Sequence, residues 1–264
     1  MISLALSGKT AESRILIGET FENLSRYSQE GRPTVIITDE NVFGLYSCSF
    51  PQWPVVAIKS GEKNKTLRTV SEIYREFLKM NVDRHWLVVG IGGGIVCDIA
   101  GFAASTYLRG LDFGFVATTL LAQVDAALGG KNGVNLLGYK NLVGTFNQPG
   151  FVICDFKMLE TLAGKEVRCG LAEIIKAAVI ADSTLFDFLE KNIESCLSLR
   201  REALEYAVER SCRAKIDIVG RDEREKEERK KLNFGHTLGH ALEKVCGLNH
   251  GEAVGIGMYV AARL

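Results

Sequence analysis

The stretch Trp86–Ile91 (WLVVGI) runs straight into Gly92-Gly93-Gly94 and then into an apolar helical pattern, Ile95 to Phe102. A short, continuous, β-branched run of this kind reads as a buried strand, and its abrupt break into glycine fixes where a helix must begin. Further candidate strands lie at Thr34–Thr38 (followed by Asp39-Glu40-Asn41), Val55–Ile58, Gly114–Ala117 and Phe151–Cys154, and Leu67–Met80 has helical periodicity. Strands alternating with helices predict an α/β domain with a mostly parallel, Rossmann-like sheet. After about Leu162 the pattern changes to long helical periods with little that reads as strand. A boundary near residues 156–164 therefore divides the expected α/β domain, residues 1–160, from an α-helical domain, residues 161–264.

The glycine turn has a chemical reading. Glycines between a strand and a helix let backbone amides approach a pyrophosphate, whose charge the helix N-terminus favours. The alternative is a tight strand-to-helix turn with no ligand, and Ile95 stands where a dinucleotide fingerprint has its third glycine. Two neighbouring stretches favour the ligand. Gly61-Glu62-Lys63-Asn64-Lys65 is a polar turn after a strand, and Thr118-Thr119 follows another at the edge where open α/β sheets bind ligands. Beyond them, Lys131, Lys140 and Asn141 on glycine-rich loops suit an anion pocket, or are solvated surface side chains.

Three of the four histidines fall within Leu232–Glu252, LNFGHTLGHALEKVCGLNHGE. His236 and His240, four apart, share a helix face, and Asn233 is expected on that face one turn earlier. Gly247 reads as a helix stop that lets the chain bring His250 back. Imidazoles so gathered suit zinc, or are surface and hydrogen-bonded core histidines. Glu173 and Lys176, in Gly170-Leu-Ala-Glu173-Ile-Ile-Lys176, share an otherwise apolar helix face. A carboxylate there needs a partner, either a metal or simply Lys176.

Composition narrows the classes. The chain has 264 residues, 47% apolar and 24% charged, with four prolines, which is a core-forming balance. Its formal charge is zero, so there is no electrostatic case for nucleic acid or for an anionic membrane. Seven scattered cysteines without a CxxC spacing read as reduced thiols in a cytoplasmic protein. The opening MISLALSGKT lacks a basic segment and is too short an apolar run for a signal peptide, and no stretch approaches a membrane span.

Taken in order, GGGIVCDIAGF, YLRG, TTLLAQVDAALGGKNGVN, KNLVGTF, GLAEIIK, LNFGHTLGHALE and HGEAVGIGM closely resemble the 3-dehydroquinate synthase family of the sugar-phosphate cyclase superfamily. The resemblance spans roughly Asp39 to the end. It implies an N-terminal α/β NAD-binding domain and a C-terminal helical domain holding zinc, for which Co²⁺ could substitute. By this resemblance Glu173, His236 and His250 are the metal ligands. NAD lies on Gly93, Gly94, Ile95 and Asp98, with Asp39, Asn41, Glu62, Lys65, Thr118, Thr119, Lys140 and Thr161 around it. Lys131, Asn141, Asn233 and His240 are phosphate-side contacts. Arg109 is lent to the neighbouring subunit of a homodimer. Asp125, Lys176 and Glu225 hold substrate hydroxyls or order the site, and Lys215 and Arg229 grip a carboxylate. The implied substrate is a sugar acid phosphate, 3-deoxy-D-arabino-heptulosonate 7-phosphate, converted to 3-dehydroquinate and phosphate on the shikimate route to aromatic amino acids. The steps are oxidation by NAD, β-elimination, return of the hydride and aldol closure.

Four residues depart from the family pattern: Ala127 for serine, Tyr139 for glycine, Glu227 for glycine and Ala163 for proline. They bear on loop conformation. Family members also continue past Leu264 with a further phosphate-contacting lysine, so the helical domain is expected to be C-terminally truncated. Competing functions are another sugar-phosphate cyclase, a zinc-dependent polyol dehydrogenase on the same scaffold, or a non-catalytic NAD- or zinc-binding fragment. Lys215 and Arg229 favour the acidic substrate. Their alternative is the solvated charge run Arg221–Lys231.

Overall fold

The computed structural model describes residues 1–8 and 11–264; Lys9 and Thr10 of the opening decapeptide lie outside the described residues. The chain forms two compact units, Met1–Thr118 with Gly130–Asp155, and Thr119–Gly129 with Phe156–Leu264. A single division at residue 160 would leave Thr119–Gly129 with the sheet. That segment instead belongs to the helical unit, where Leu120 lies against Gly170.

In the first unit the elements run β1 (Ile2–Ser7), β2 (Glu12–Ile17), β3 (Thr34–Asp39), α1 (Glu40–Tyr46), β4 (Val55–Ile58), α2 (Leu67–Lys79), β5 (Leu87–Gly92), α3 (Gly94–Thr106), β6 (Asp112–Ala117), β7 (Lys131–Leu136), β8 (Tyr139–Phe146) and β9 (Phe151–Cys154). Seven strands form one sheet in the order β1-β2-β9-β6-β5-β3-β4. All neighbours are parallel except β1 with β2. Strands β5 and β9 are buried at every position, as their continuous apolar runs require of strands covered on both faces. Helix α2 turns Val70, Ile73 and Phe77 inward at helical spacing and begins at Thr66, whose hydroxyl accepts the Thr69 N–H. The chain leaves β3 for β4 on one side and then crosses to β5 on the other. The order therefore reverses between β3 and β5, the kind of switch point beyond whose carboxyl ends open α/β sheets bind ligands.

Two hairpins lie outside the expected strands. β1 and β2 pair from Ile2↔Ile17 to Ser7↔Glu12 and add an antiparallel edge. β7 and β8 pair as a separate ribbon, so Lys131, Lys140 and Asn141 sit on strands and not on glycine-rich loops. Their two-residue connection has positive φ at both Leu137 (50°) and Gly138 (82°), the geometry of a tight hairpin turn. Leucine is an uncommon choice for that position, and β8 is largely exposed, so neither the turn signal nor the alternation is visible in the sequence.

The second unit holds α4 (Gly164–Ala181), α5 (Ser183–Leu197), α6 (Arg201–Arg221), α7 (His236–Cys246) and α8 (His250–Ala261), with a π-helical turn at Ala122–Ala126. Helix α4 is central to this unit. It packs on α5, α6, α8 and the Ala122–Ala126 turn. No helix among the described residues is long and apolar enough to cross a membrane.

Candidate active site

The metal-type residues of the helical unit meet because three helices are held close together. α7 begins at His236, after Gly235 in the left-handed region (φ 77°), and ends at Gly247, also left-handed (φ 66°). Gly235 interrupts the helix that the sequence implied. Asn233 therefore closes a preceding 3₁₀ turn, Glu228–Asn233, and is not one turn earlier on the α7 face. The stop at Gly247 falls where expected. α8 then starts with a capping box, in which Asn249 accepts the Glu252 N–H and Glu252 reaches back to the Asn249 N–H. Gly251, between the two capping residues, lies against α4. A Cβ there would come within 2.4 Å of the Cys169 Cα, so only glycine lets α8 approach this closely. The Cys169 thiol accepts the Gly251 N–H (3.2 Å) and donates to Asn249 Oδ1 (3.0 Å). His250 is thereby brought over Glu173, one turn along α4 from Cys169.

Glu173 is 2% exposed, and its Oε1 accepts no well-directed hydrogen bond. That oxygen faces His250 Nε2 at 3.3 Å and His236 Nε2 at 3.7 Å. The other nitrogen of each ring is engaged: His236 Nδ1 with the Phe234 carbonyl (3.2 Å), His250 Nδ1 with Glu243 Oε1 (2.6 Å). When Nδ1 carries the proton of a neutral imidazole, Nε2 presents a lone pair. Two nitrogen lone pairs and a carboxylate oxygen thus converge, an arrangement that a cation completes. Donor atoms of the three residues all lie within 4.8 Å of one another. Ligands on a tetrahedral zinc at about 2.0–2.1 Å lie roughly 3.3 Å apart, so the set fits a zinc-type ion with a position left open. The His240 ring lies 5.3 Å from that of His236.

Charge is balanced tightly around this set. Lys176, 2% exposed, pairs with Glu173 Oε2. Burial and the nearby Asp125 push the Glu173 carboxyl up, but Lys176, His250 and His236 outweigh them and hold it below the usual range. Burial pulls Lys176 down, and Asp125 and Glu173 together raise it above the ordinary lysine value. His236 is held down by burial and by Lys176. Burial lowers His250 too, but Glu173 and Glu243 carry it above the ordinary imidazole value.

Asp125, on the π-helical turn, pairs with Lys215 of α6, whose Nζ also donates to the Asp125 carbonyl at 2.7 Å. Burial raises the Asp125 carboxyl, and Lys215 and Lys176 overcome it, leaving the group well below the carboxylate range. Lys215 and Arg229 are both held below their ordinary values, first by burial, and Arg229 adds to the effect on Lys215. Arg229 is 2% exposed and donates to the Glu223 carbonyl at 2.5 Å. It is therefore not part of a solvated charge run. Asn233 donates to Glu225, whose backbone is left-handed (φ 55°). Thr119 caps the π-helical turn by accepting the Ala122 N–H (3.1 Å), and Thr161 donates to the Met158 carbonyl (3.4 Å).

In the α/β unit, the carboxyl ends of the adjacent strands β3 and β5 carry Asp39 and Gly92-Gly93-Gly94. Gly93 is the N-cap of α3 and offers no side-chain cap, so the first-turn N–H groups, that of Ile95 among them, suit an anion. This is the donor set a dinucleotide pyrophosphate needs. Asp39 caps α1 by accepting the Asn41 and Val42 N–H groups and also accepts from Ser60 (3.2 Å). Lys65 pairs with Asp98 of α3 and donates to Asn141 Oδ1. Glu62 accepts from Asn135 of β7 (2.7 Å), and the Thr118 N–H donates to the Gly92 carbonyl (3.0 Å). Lys131 and Lys140 are exposed on the β7–β8 ribbon. Arg109 is exposed on a turn in which Leu108, Arg109 and Gly110 all have positive φ.

Of the four positions singled out in the sequence, Ala163 adopts φ −63°, a value that proline also takes. Sequence reasoning missed Glu243, Cys169 and Asn249, the residues that hold His250. Glu243 follows His236 by seven and His240 by three, a shared helix face that the spacing could have revealed.

In fold the chain is similar to solved sugar-phosphate cyclases. The 2-epi-5-epi-valiolone synthase of Streptomyces hygroscopicus subsp. jinggangensis, solved with NAD⁺ and Zn²⁺ bound, matches with TM-score 0.87 and 28% identity, over 96% of this chain and 74% of that one. A 2-deoxy-scyllo-inosose synthase complexed with carbaglucose-6-phosphate, NAD⁺ and Co²⁺ matches with TM-score 0.85 and 28% identity, over 99% and 76%. Residues 55–169 match the family model 3-dehydroquinate synthase N-terminal, and residues 170–264 match 3-dehydroquinate synthase C-terminal. The 3-dehydroquinate synthase of Pelotomaculum thermopropionicum is 44% identical over 245 residues, 89% of this chain and 66% of that protein. The chain belongs to the 3-dehydroquinate synthase family, and it spans about two thirds of the length of that relative.

Proposed function

We propose that the chain is a 3-dehydroquinate synthase, a carbon–oxygen lyase that converts 3-deoxy-D-arabino-heptulosonate 7-phosphate to 3-dehydroquinate and phosphate. The observation that carries the reading is the buried charge system of the helical unit. A carboxylate and two imidazole lone pairs converge on one point, in the same unit as two buried cations, Lys215 and Arg229, each depressed in part by burial. Asp125 already pairs with Lys215, and a substrate carboxylate would add a second anion beside these two cations, which favours an acidic substrate over a neutral polyol. When bound, NAD would supply a hydride acceptor whose hydride is returned within the cycle, and zinc a Lewis acid for the substrate hydroxyls.

The chain's own residues would bind and orient. Glu173, His236 and His250 hold the metal, and Lys176 and Asp125 balance the charge beside it. Lys215 and Arg229 take the carboxylate. Lys131, Asn141, Asn233 and His240 take the phosphate side, and Glu225 fixes Asn233. Gly93, Gly94, Ile95 and Asp98 of the α/β unit would border the dinucleotide, with Asp39, Asn41, Glu62, Lys65, Thr118 and Lys140 of that unit; Thr119 and Thr161, which the family pattern also assigns to the dinucleotide, belong to the helical unit. The exposed left-handed turn that carries Arg109 suits a side chain lent to a second copy in a homodimer. All seven cysteines are free thiols, as a cytoplasmic location would leave them.

The test is phosphate release from the sugar acid phosphate with trace NAD and added Zn²⁺. Phosphate should appear over many turnovers without accumulation of NADH. Stoichiometric NADH would indicate a polyol dehydrogenase, and no release by this chain, with metal and NAD bound, would indicate a non-catalytic fragment.

A further inference from the structure

We propose that Glu243 is a positioning residue for His250, fixing which nitrogen of the ring faces Glu173. The inference rests on the reading of Glu173, His236 and His250 as metal ligands and deepens it. Glu243 lies two turns along α7 from His236, and its side chain is only 7% exposed. Its Oε1 stands 2.6 Å from His250 Nδ1, within reach of a charge-assisted hydrogen bond from the ring N–H. With a cation bound, that bond holds the ring's one proton on Nδ1 and leaves Nε2, which stands 3.3 Å from Glu173 Oε1, as the ligating atom.

The two imidazoles are held differently. His236 donates to a backbone carbonyl, that of Phe234, which no substitution removes. His250 depends on a side chain. Its backbone is already anchored at the start of α8 by the Asn249 cap and by the contacts of Asn249 and Gly251 with the Cys169 thiol. Only rotation of the ring remains to be fixed, and Glu243 fixes it. A carboxylate also makes the ring a stronger donor to a metal than a carbonyl does, and losing such a partner typically weakens metal binding roughly 10–100-fold.

His240, Glu243 and His250 also place one donor atom each within 4.8 Å of one another. Glu243 could serve there as a ligand to a second ion, and the same experiment distinguishes the two roles.

The experiment measures Zn²⁺ affinity and stoichiometry of the full chain by competition with a chromophoric chelator, for wild type, Glu243→Gln and Glu243→Met. Wild type should bind one equivalent tightly. Glu243→Gln keeps the volume and an acceptor oxygen but removes the charge, and should still bind one equivalent with an affinity about 10–100-fold lower. Glu243→Met should be weaker still. The Co²⁺ absorption spectrum should also change in Glu243→Gln, because ring orientation alters the ligand field. Unchanged affinity and an unchanged Co²⁺ spectrum in Glu243→Gln, or in Glu243→Met should the first variant fail to fold, would overturn the proposal and leave the metal reading intact. Two tight equivalents in wild type, the second lost in Glu243→Gln, would make Glu243 a ligand and also overturn it. Absence of tight binding by wild type would sink the metal reading itself.

Discussion

Replacing Lys176 with methionine should destabilise the metal-free protein in a way that depends on both pH and zinc. The side chain keeps its length and apolar stem but loses the ammonium that pairs with Glu173. Glu173 would be left fully buried, pushed up by burial and by the charge of Asp125. A carboxylate so placed neutralises by taking up a proton, which sets a ceiling on the loss. With an ordinary carboxyl value of about 4.3, protonation at about pH 7.5 costs roughly 3 units, or about 4 kcal/mol, and at about pH 5.5 roughly 1.6 kcal/mol. In wild type the Glu173 carboxyl is depressed, so its contribution is fully present above about 4.3 and is lost as pH falls through the lower folded value. The difference between variant and wild type should therefore grow by up to about 1.4 kcal/mol per pH unit on the alkaline side. For a chain of this size each kcal/mol shifts Tm by roughly 2–4 °C, so the ceiling at about pH 7.5 corresponds to about 8–16 °C. Saturating Zn²⁺ supplies another positive charge to Glu173 and should shrink the deficit. The assay is thermal unfolding by circular dichroism at the two pH values, with chelator and with Zn²⁺. A deficit that is the same in all four conditions would refute the reasoning, because simple loss of packing has neither dependence.

Arg229→Ala should lower kcat/KM for the acidic substrate by on the order of 2–5 kcal/mol, as for one partner of a buried charged contact; unchanged kinetics would remove Arg229 from the site. Gly251→Ala should push α8 off α4 at Cys169, destabilise by about 1–3 kcal/mol and weaken Zn²⁺ binding, which melting and chelator competition would measure together. Asp182, which caps α5 and receives both Nε and Nη2 of Arg210 at 2.7 and 2.6 Å, has a carboxyl that burial raises and Arg210 lowers further, leaving it depressed. Asp182→Asn should lose about 1 kcal/mol at neutral pH, a figure reduced for the solvent around Arg210. That difference should close as pH falls below about 4 through the lower folded value, and a gap that persists into acid would show that the charge is irrelevant.

The local, repetitive features of this chain were written in its sequence. The strands at Val55–Ile58 and Phe151–Cys154 carry short apolar runs, and α2 carries a face of Val70, Ile73 and Phe77. The period of burial is a property of neighbouring residues, so no partner need be known. The end of α7 at Gly247 was equally legible, because the left-handed turn there favours a particular residue. The motifs identified the family, and with it the fold.

Tertiary structure decided what depends on distant partners. The β7–β8 ribbon was hidden because its turn uses leucine at a positive φ and its outer strand has almost no buried face. Asn233 left the α7 face because Gly235, pressed against Met258 of α8, takes a left-handed conformation that ends one helical path and starts another. Arg229 lies in a stretch of alternating charges that reads as solvated, yet it is buried, since Gly129, a hundred residues away, leaves room against its guanidinium. The pairing of Lys215 with Asp125 and of His250 with Glu243 follows the same rule. Sequence spacing sets which residues share a face of one helix. Which face meets which is set by packing between helices, where the fit of a single glycine such as Gly251 determines whether His250 reaches Glu173 at all.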